Sequence, residues 1–384
     1  MRLYKKLSKV LALVLFLNLF SGFSVTAEEN NVLEISAPSA ILIEQSTGEV
    51  LFEKNPDEKL ALASVTKVMT MLLVMEAIDS GKISFNDMVT GSENAKSMGG
   101  STIFLDAGEQ MSVYDLLKGV AVASGNDAAV ALAEYVSGSE EGFVSLMNER
   151  AKELGMVNTQ FKNPNGLDEE GHYSSARDIS IMSRELLKHE KIFEFTTIWM
   201  DSLRNGAFEL SNTNKLIRFY EGANGLKTGS TSIAKNCISA SAKRDNMQLI
   251  AVIMKAETSA DRFEDAKKLL NYGFSNYEIF PALKSGDTAG ETLIKKGDKE
   301  KISGVIRDNF NVLVKKGDTG DIKVINELKN PVDAPVKKGE EIGKAKILKG
   351  EKPIGEVSII SDSDVKKLTY YAIFGNLFSK LVNF

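Results

Sequence analysis

The apolar positions between residues 34 and 274 follow both strand and helix periodicities. Ala40-Ile41-Leu42-Ile43-Glu44 and the apolar run 50–52 are separated by Ser46-Thr47-Gly48, which predicts a β-hairpin. Residues 64–78 are apolar on nearly every side, as in a helix buried within a domain. Other segments repeat one of these two patterns. The predicted helices are 112–119, 127–136, 142–154 and 262–272, the last ended by Gly273, and the predicted strands are 237–242 and 248–254.

The pattern changes after Phe280-Pro281. The tripeptide Lys-Lys-Gly recurs three times, at 295–297, 315–317 and 337–339. Short apolar segments such as 312–314 lie between these repeats, an arrangement typical of short strands joined by turns. We therefore expect a mixed α/β domain over residues 28–276 and a small all-β domain over residues 277–363. Two domains also agree with the length of the chain.

The first 27 residues have the pattern of a secretory signal peptide. Basic residues precede an apolar run over 10–20, and Val25-Thr26-Ala27 offers small residues for cleavage. The alternative is a membrane anchor, but the apolar run is well short of the ~20 residues that a bilayer requires. We expect cleavage after Ala27 and export of the mature chain.

Residues 364–384 have the pattern of an amphipathic helix. One side would carry Tyr371, Phe374, Leu377, Phe378, Leu381 and Val382, and the other Asn376, Ser379, Lys380 and Asn383. Such a helix suits a membrane interface, and the polar residues disfavour a true span. The alternative is a terminal helix docked on its own domain. We expect this segment to bind the membrane surface.

Charge and composition exclude several classes of function. Loss of the predicted signal peptide changes the formal net charge from −5 to −9, which disfavours nucleic-acid binding. Cys237 is the only cysteine, so the chain has no internal disulfide and no cysteine metal cluster. With only His172 and His189, a histidine-rich metal site is improbable, and neither lies in a motif typical of a catalytic triad.

The segment Ser64-Val65-Thr66-Lys67 places a hydroxyl and an amine three residues apart, on one face of a helix. Backbone N–H groups in the first helical turn can stabilise an oxyanion. A serine needs a base to attack at neutral pH, and a lysine can serve if burial or nearby cations lower its pKa. The alternative is an N-cap serine and a surface lysine, but the following helix is too apolar to offer Lys67 much surface.

Two further motifs carry polar groups suited to the same cleft. Ser124-Gly125-Asn126 offers a hydroxyl for proton relay and an amide for the substrate, although serine, glycine and asparagine also commonly cap helices. Lys227-Thr228-Gly229 predicts a strand bordering the cleft, with a cation, a hydroxyl and a glycine that lets substrate approach. Alone, it would read as an ordinary turn-rich strand.

Each motif alone is weak, because Ser363-Asp364-Val365-Lys366 and Ser92-Glu93-Asn94 match the first two by chance. Their order and flanking residues carry the specificity, together with the segments 163–167 and 171–178. With these, the chain resembles the D-alanyl-D-alanine carboxypeptidases, low-molecular-mass penicillin-binding proteins related to the serine β-lactamases. The resemblance covers essentially the whole chain. It implies an α/β (α+β) domain with an antiparallel sheet flanked by helices, a helical subdomain, the C-terminal β domain and the amphipathic helix.

The resemblance also implies a role for each site residue. Ser64 would be the nucleophile and Lys67 its base, while Ser124 and Lys227 assist proton transfer and Asn126 orients the peptide. The implied substrate-binding residues are Thr228, Gly229, Ser230 and Arg262, with an oxyanion hole formed by the N–H groups of Ser64 and Ser230 and a substrate carboxylate held with the help of Arg262. Two departures leave substrate preference open: Ser230 stands where relatives often have histidine, and Ala234-Lys235-Asn236 where they usually have Ala-Gly-Tyr.

The implied reaction is removal of the last D-alanine from a peptidoglycan stem peptide through an acyl-enzyme on Ser64, without a metal or organic cofactor. β-Lactams would acylate the same serine, and the implied location is the cell-wall compartment outside the cytoplasmic membrane. Three alternatives remain at this point. They are a β-lactamase, an endopeptidase on crosslinks, and an inert wall-binding scaffold. Class A β-lactamases use a glutamate for deacylation, and this chain has no Glu-x-x-Leu-Asn segment between Asn126 and Lys227 to supply it.

Overall fold

The computed structural model describes residues 33–318, 321–369 and 374. Its first part, up to residue 276, mixes strands and helices. The strands are β1 (Ser39–Glu44), β2 (Val50–Lys54), β3 (Met88–Thr90), β4 (Gln110–Ser112), β5 (Met200–Leu203), β6 (Phe208–Ser211), β7 (Ala223–Thr231), β8 (Lys235–Arg244) and β9 (Met247–Ala256). The α-helices are α1 (Lys67–Asp79), α2 (Glu93–Lys96), α3 (Val113–Lys118), α4 (Asn126–Ser137), α5 (Glu140–Glu153), α6 (Ala176–Leu186), α7 (Phe193–Thr196), α8 (Leu216–Phe219) and α9 (Ser259–Asn276).

The main sheet has five antiparallel strands in the order β2-β1-β9-β8-β7, so β7 is an edge strand. The hairpin predicted at 40–52 and the strands predicted around 237–254 are confirmed. Alternate residues of β1 face opposite sides of the sheet. Ile41 and Ile43 join the core that contains α1 and α6, whereas Leu42 faces α9 on the other side.

The buried helix predicted from residue 64 is confirmed as α1, with one difference at its start. Ala63–Thr66 form a 3₁₀ turn, and the α-helix begins at Lys67. The Met and Leu side chains of α1 are almost completely shielded from solvent, and the helix packs against α4 and α6. Burial on every side explains why its sequence has no polar face.

The predicted end of the last helix at Gly273 is wrong. The helix α9 continues through Gly273 to Asn276 after starting at a capping box formed by Thr258 and Asp261. A Cβ atom on residue 273 would lie 2.5 Å from Leu249 Cδ1 and 3.1 Å from Leu42 Cδ2. Glycine at this position therefore allows close packing of the helix on the sheet and does not end the helix.

The C-terminal part is all β, as predicted. Its strands are β10 (Tyr277–Leu283), β11 (Thr288–Lys295), β12 (Lys301–Ile306), β13 (Phe310–Lys315), β14 (Ile322–Leu328), β15 (Val332–Asp333), β16 (Glu341–Lys349) and β17 (Lys352–Ser361). Six form one sheet in the order β14-β16-β17-β12-β11-β15, and β10 pairs with β13. These strands enclose a separate apolar core that includes Ile302, Ile342, Ile347 and Ile359.

The segment at 364–369 differs from the helix predicted over 364–384. Val365 pairs with Val336 and Lys367 with Gly297 in isolated β-bridges, so this stretch continues the β domain. The remainder of the predicted helix, apart from residue 374, lies outside the described residues, as does the predicted signal peptide at 1–27. Across the described ranges, no helix combines the length and apolar character that a membrane crossing needs.

Candidate active site

Two glycines confine the backbone of the turn that carries Ser64. A Cβ atom on Gly166 would lie 1.9 Å from the carbonyl oxygen of Ala63, and one on Gly229 would lie 2.9 Å from the Ser64 nitrogen. Gly166 also has φ +84°. Ala63 itself has φ +48°, an unfavourable value for a residue with a side chain. The half-buried Ser64 is therefore held between the 163–167 segment and strand β7.

Lys67 lies directly beneath the Ser64 hydroxyl and is completely buried. Its Nζ is 3.1 Å from Ser64 Oγ, 2.5 Å from Asn126 Oδ1 and 2.6 Å from the carbonyl oxygen of Asn165. Burial, followed by the nearby charge of Lys227, holds the pKa of Lys67 well below its ordinary value. A neutral amine that donates to Asn126 and Asn165 keeps its lone pair for the proton of Ser64.

Asn126 links Lys67 to the rim of the cleft. Its Nδ2 donates to the carbonyl oxygen of Gly99 at 2.7 Å. Asn126 is the first residue of α4, and the N-cap position is Gly125. The Asn126 side chain bonds to Lys67 and to the Gly99 carbonyl, so it does not cap the helix. The carboxylate of Asp127 instead accepts from the N–H groups of Ile103 and Leu105, at 3.0 and 2.9 Å. The 99–105 loop is thereby fixed against α4.

Ser124 precedes α4 in the left-handed conformation, with φ +65°. It follows a π-helical turn, Gly119–Ala123, that extends α3 beyond the predicted helix end. A non-glycine residue rarely adopts such a backbone, and such residues are often found at functional sites. Ser124 is almost fully shielded from solvent.

The third motif lies on a strand, β7, as predicted, and the structure places this strand at the edge of the sheet. Lys227 is buried and donates to the carbonyl oxygen of Thr228 at 2.9 Å. Burial, helped by the charge of Arg262, lowers the pKa of Lys227 to about 7. The Thr228 hydroxyl donates to Thr213 Oγ1 at 2.7 Å, which orients it from the neighbouring loop. An edge strand leaves backbone groups available for an extended peptide.

Arg262 lies at the start of α9, behind β7 and β8. Its Nη1 donates to the carbonyl oxygens of Gly229 and Cys237, at 3.0 and 3.2 Å, and its Nη2 to Ser259 Oγ at 2.9 Å. Its Nε is buried and has no hydrogen-bond partner within the described chain. Arg262 is thus attached to the backbone of β7 and β8. Ser230, which follows Gly229 in β7, is exposed.

Sequence reasoning assigned no role to three groups that the structure places at this site. They are the Asn165 carbonyl on Lys67, the Gly166 backbone against Ala63, and the Thr213 hydroxyl on Thr228. The 163–167 segment resembles the family's sequence, but its residue types indicate only a turn and give no sign of a contact with Lys67. Asn163 Oδ1 accepts from the Gly166 N–H at 2.7 Å and shapes that turn.

A cavity of about 360 Å³ adjoins the Ser64 turn. Its lining includes Ala63, Gly166, Asp168, His172 and Ile233. The Thr231 hydroxyl donates to Asp168 at 2.8 Å, so the end of β7 and the loop after Gly166 meet beside this cavity. The cavity lies beside the turn, and none of the side chains of the three motifs lines it.

Two family models match the chain. The model described as D-alanyl-D-alanine carboxypeptidase matches residues 24–258, and the model described as penicillin-binding protein 5, C-terminal domain, matches residues 277–367. Together they cover both the site and the β domain.

Individual relatives agree with the family models. D-alanyl-D-alanine carboxypeptidase DacF of Bacillus subtilis (strain 168) is 50% identical over 335 residues, 86% of each chain. The structure of penicillin-binding protein 5 from Haemophilus influenzae has a TM-score of 0.73 at 35% identity, with 87% of this chain and 98% of that chain covered. Penicillin-binding protein D2 from Listeria monocytogenes, solved in its ampicillin-bound form, has a TM-score of 0.58 at 32% identity, with 63% and 99% covered. The chain belongs to the D-alanyl-D-alanine carboxypeptidase family of serine peptidases.

Proposed function

We propose that this protein removes the terminal D-alanine of peptidoglycan stem peptides through an acyl-enzyme on Ser64. The observation that carries the proposal is the position of Lys67, a fully buried amine 3.1 Å from the Ser64 hydroxyl. Its pKa is held well below the ordinary value by burial, which favours the neutral amine that a general base requires. The family membership supplies the class of substrate.

Acylation follows from this arrangement. Lys67 takes the proton of Ser64 as Oγ attacks the carbonyl carbon of the penultimate D-alanine. The oxyanion receives hydrogen bonds from the N–H groups of Ser64 and Ser230, a role supported by the close approach of Gly229 to the Ser64 nitrogen. The C–N bond then breaks, and the proton held by Lys67 passes through Ser124 to the amine of the departing D-alanine, which leaves Lys67 neutral again.

The charge and hydroxyl groups of β7 suit the carboxylate end of the substrate. Protonated Lys227 and the Thr228 hydroxyl would bind the terminal carboxylate, while Asn126 would orient the peptide amide. Arg262 donates to the carbonyl oxygen of Gly229, and its charge keeps the potential positive behind the strand. We assign Arg262 to this indirect role.

Deacylation needs only water and the same base. Once D-alanine has left, a water molecule gives a proton to Lys67 and attacks the ester carbon, which frees the shortened peptide and returns the proton to Ser64. A β-lactam would open on Ser64 by the same first step. Support comes from the relative solved in its ampicillin-bound form.

The proposed place of action is outside the cytoplasm, where peptidoglycan is found. The sequence pattern of residues 1–27 supports export with removal of this segment, and the pattern of the tail supports attachment to the outer face of the cytoplasmic membrane. Neither segment contains a residue of the proposed active site. The comparisons do not favour the β-lactamase, endopeptidase or scaffold alternatives.

The direct test is D-alanine release from a pentapeptide that ends in D-Ala-D-Ala. The mature chain should release one D-alanine per peptide, Ser64→Ala should release none, and benzylpenicillin should stop the wild-type reaction. A matched peptide ending in L-alanine controls for unspecific hydrolysis. Absence of release by folded wild-type protein, or equal release by Ser64→Ala, would refute the proposal.

A further inference from the structure

A second polar network next to the Ser64 turn is centred on His172. The backbone N–H of Lys162 donates to His172 Nδ1 at 2.9 Å, and His172 Nε2 is 2.7 Å from Thr66 Oγ1. The Thr66 hydroxyl donates to the carbonyl oxygen of Ala63 at 2.8 Å. These contacts connect the 162–172 loop to the residue that precedes the nucleophile.

The direction of each hydrogen bond in this network can be assigned. Because Nδ1 accepts from a backbone N–H, it carries no proton, so the proton of the neutral ring is on Nε2. Nε2–H therefore donates to Thr66 Oγ1, whose own hydrogen is directed to Ala63. Burial lowers the pKa of His172 to about 4, which keeps the ring neutral.

The network ends at the carbonyl oxygen of Ala63, a backbone group whose position is tightly constrained. Ala63 has an unfavourable positive φ, and its carbonyl oxygen faces the Gly166 backbone. The peptide unit that begins at this carbonyl ends at the Ser64 nitrogen, which is proposed above as an oxyanion donor. A rotation of that unit would move both the N–H and Oγ of Ser64.

We propose that His172 is a positioning residue for acylation, acting through Thr66 to hold the Ala63–Ser64 peptide unit in its reactive orientation. The inference rests on the proposed role of Ser64 as the nucleophile. It assigns His172 no contact with substrate and no proton transfer. The required property is that one side-chain atom accepts from Lys162 while another donates to Thr66.

This requirement separates conservative from disruptive variants. In His172→Gln the amide offers one acceptor and one donor, and in Thr66→Ser the hydroxyl is kept. In His172→Leu and Thr66→Val the network is broken at two different links. Thr292→Val in the β domain is the matched control, because it removes another buried hydroxyl that donates to a backbone carbonyl, at 2.6 Å.

The experiment measures the acylation rate constant of the mature chain with benzylpenicillin and kcat and KM for the pentapeptide. Adduct stoichiometry at completion gives the folded, reactive fraction of each variant. We expect His172→Leu and Thr66→Val to acylate on the order of 10- to 100-fold more slowly, with KM little changed. His172→Gln, Thr66→Ser and Thr292→Val should stay within about threefold of wild type, and the double variant His172→Leu/Thr66→Val should be no slower than the slower single variant.

Wild-type rates in both disruptive variants would overturn the inference, as would His172→Gln reacting as slowly as His172→Leu. An additive double variant would also overturn it, since the two residues would then act separately. Failure of the proposed function looks different: wild-type protein would form no adduct, or Ser64→Ala would still form one.

Discussion

The two buried lysines dominate the site at the scale of single residues. An amine without solvent favours its neutral form, and each of these amines also faces another cation. The fold tolerates Lys67 because Asn126 and Asn165 accept its hydrogen bonds. It tolerates Lys227 because the carbonyl oxygen of Thr228, on the same strand, accepts a hydrogen bond from the amine. The pKa of Lys67 therefore lies well below its ordinary value, and the pKa of Lys227 is about 7.

A first prediction concerns the neutral state of Lys67. In Lys67→Arg the positive charge persists at every accessible pH, because a guanidinium is not deprotonated in proteins. If the neutral amine is the base, acylation by benzylpenicillin should fall by roughly 10²- to 10⁴-fold. The exposed Lys82→Arg, just after α1, is the control and should react like wild type. A rate for Lys67→Arg within tenfold of wild type would contradict the assignment.

A second prediction concerns Lys227 and the pH dependence of stability. In the unfolded chain this amine has its ordinary pKa of 10.5, whereas in the folded site its pKa is about 7. Between these values the unfolded state binds more protons, so the free energy of unfolding should rise as pH increases from about 7 towards 10.

Urea denaturation of wild type and Lys227→Met at several pH values measures this contribution. The variant lacks the titrating amine, so the wild-type rise should exceed that of the variant by an amount on the order of a few kcal/mol. Parallel curves for the two proteins would show that Lys227 is not desolvated as described.

At the scale of elements, the site depends on the contact between the 163–167 segment and the 3₁₀ turn of Ser64. Asn165 and Gly166 meet that turn through backbone atoms, at Lys67 Nζ and at the Ala63 carbonyl. A backbone contact has no residue-type signature beyond the glycine that permits it. Sequence reasoning could therefore quote this segment as part of the resemblance without assigning it a function.

A third prediction compares two glycines with similar backbones. Gly166 and Gly155 have φ +84° and +76°, but only Gly166 has atoms within 4 Å of the position a Cβ would take. Gly155→Ala should lower the free energy of unfolding by roughly 1–2 kcal/mol, the cost of the left-handed conformation, without changing acylation. Gly166→Ala should add a collision with the Ala63 carbonyl and slow acylation on the order of 10- to 100-fold.

The measurement for this pair is again the acylation rate of the folded fraction, with urea denaturation for stability. Equal acylation rates in the two variants would show that the Gly166 contact does not position Ser64. A slow Gly155→Ala would show that helix α5 and its exit loop influence the site, which the structure does not predict.

At the scale of the whole molecule, sequence patterns predicted those helices and strands whose apolar residues repeat with a regular local period. The hairpin, the buried helix α1, the strands β8 and β9 and the all-β character of the C-terminal part are examples. The same reasoning was wrong at Gly273 and at 364–369. In both places the conformation is decided by a partner distant in sequence, Leu249 for the glycine and Val336 for Val365.

In the site, too, features encoded locally were predicted from the sequence, and features set by distant partners were not. Spacing within each motif predicted that Ser64 and Lys67 share a face, and family resemblance joined them to Asn126 and to strand β7. The attachment of Arg262 to backbone carbonyls could not be predicted, since it depends on how α9 crosses the sheet. The network through His172 was equally hidden, because an isolated histidine carries no local signal of its partners.

Acylation of Ser64 is the central step of the proposed reaction. The most direct measurement is mass spectrometry of residues 28–384 after benzylpenicillin treatment, with peptide mapping of the adduct, beside Ser64→Ala. We predict one adduct per chain, located on the peptide that contains Ser64, and none in the variant. An adduct on another residue such as Ser124, or an adduct that persists in Ser64→Ala, would contradict the account.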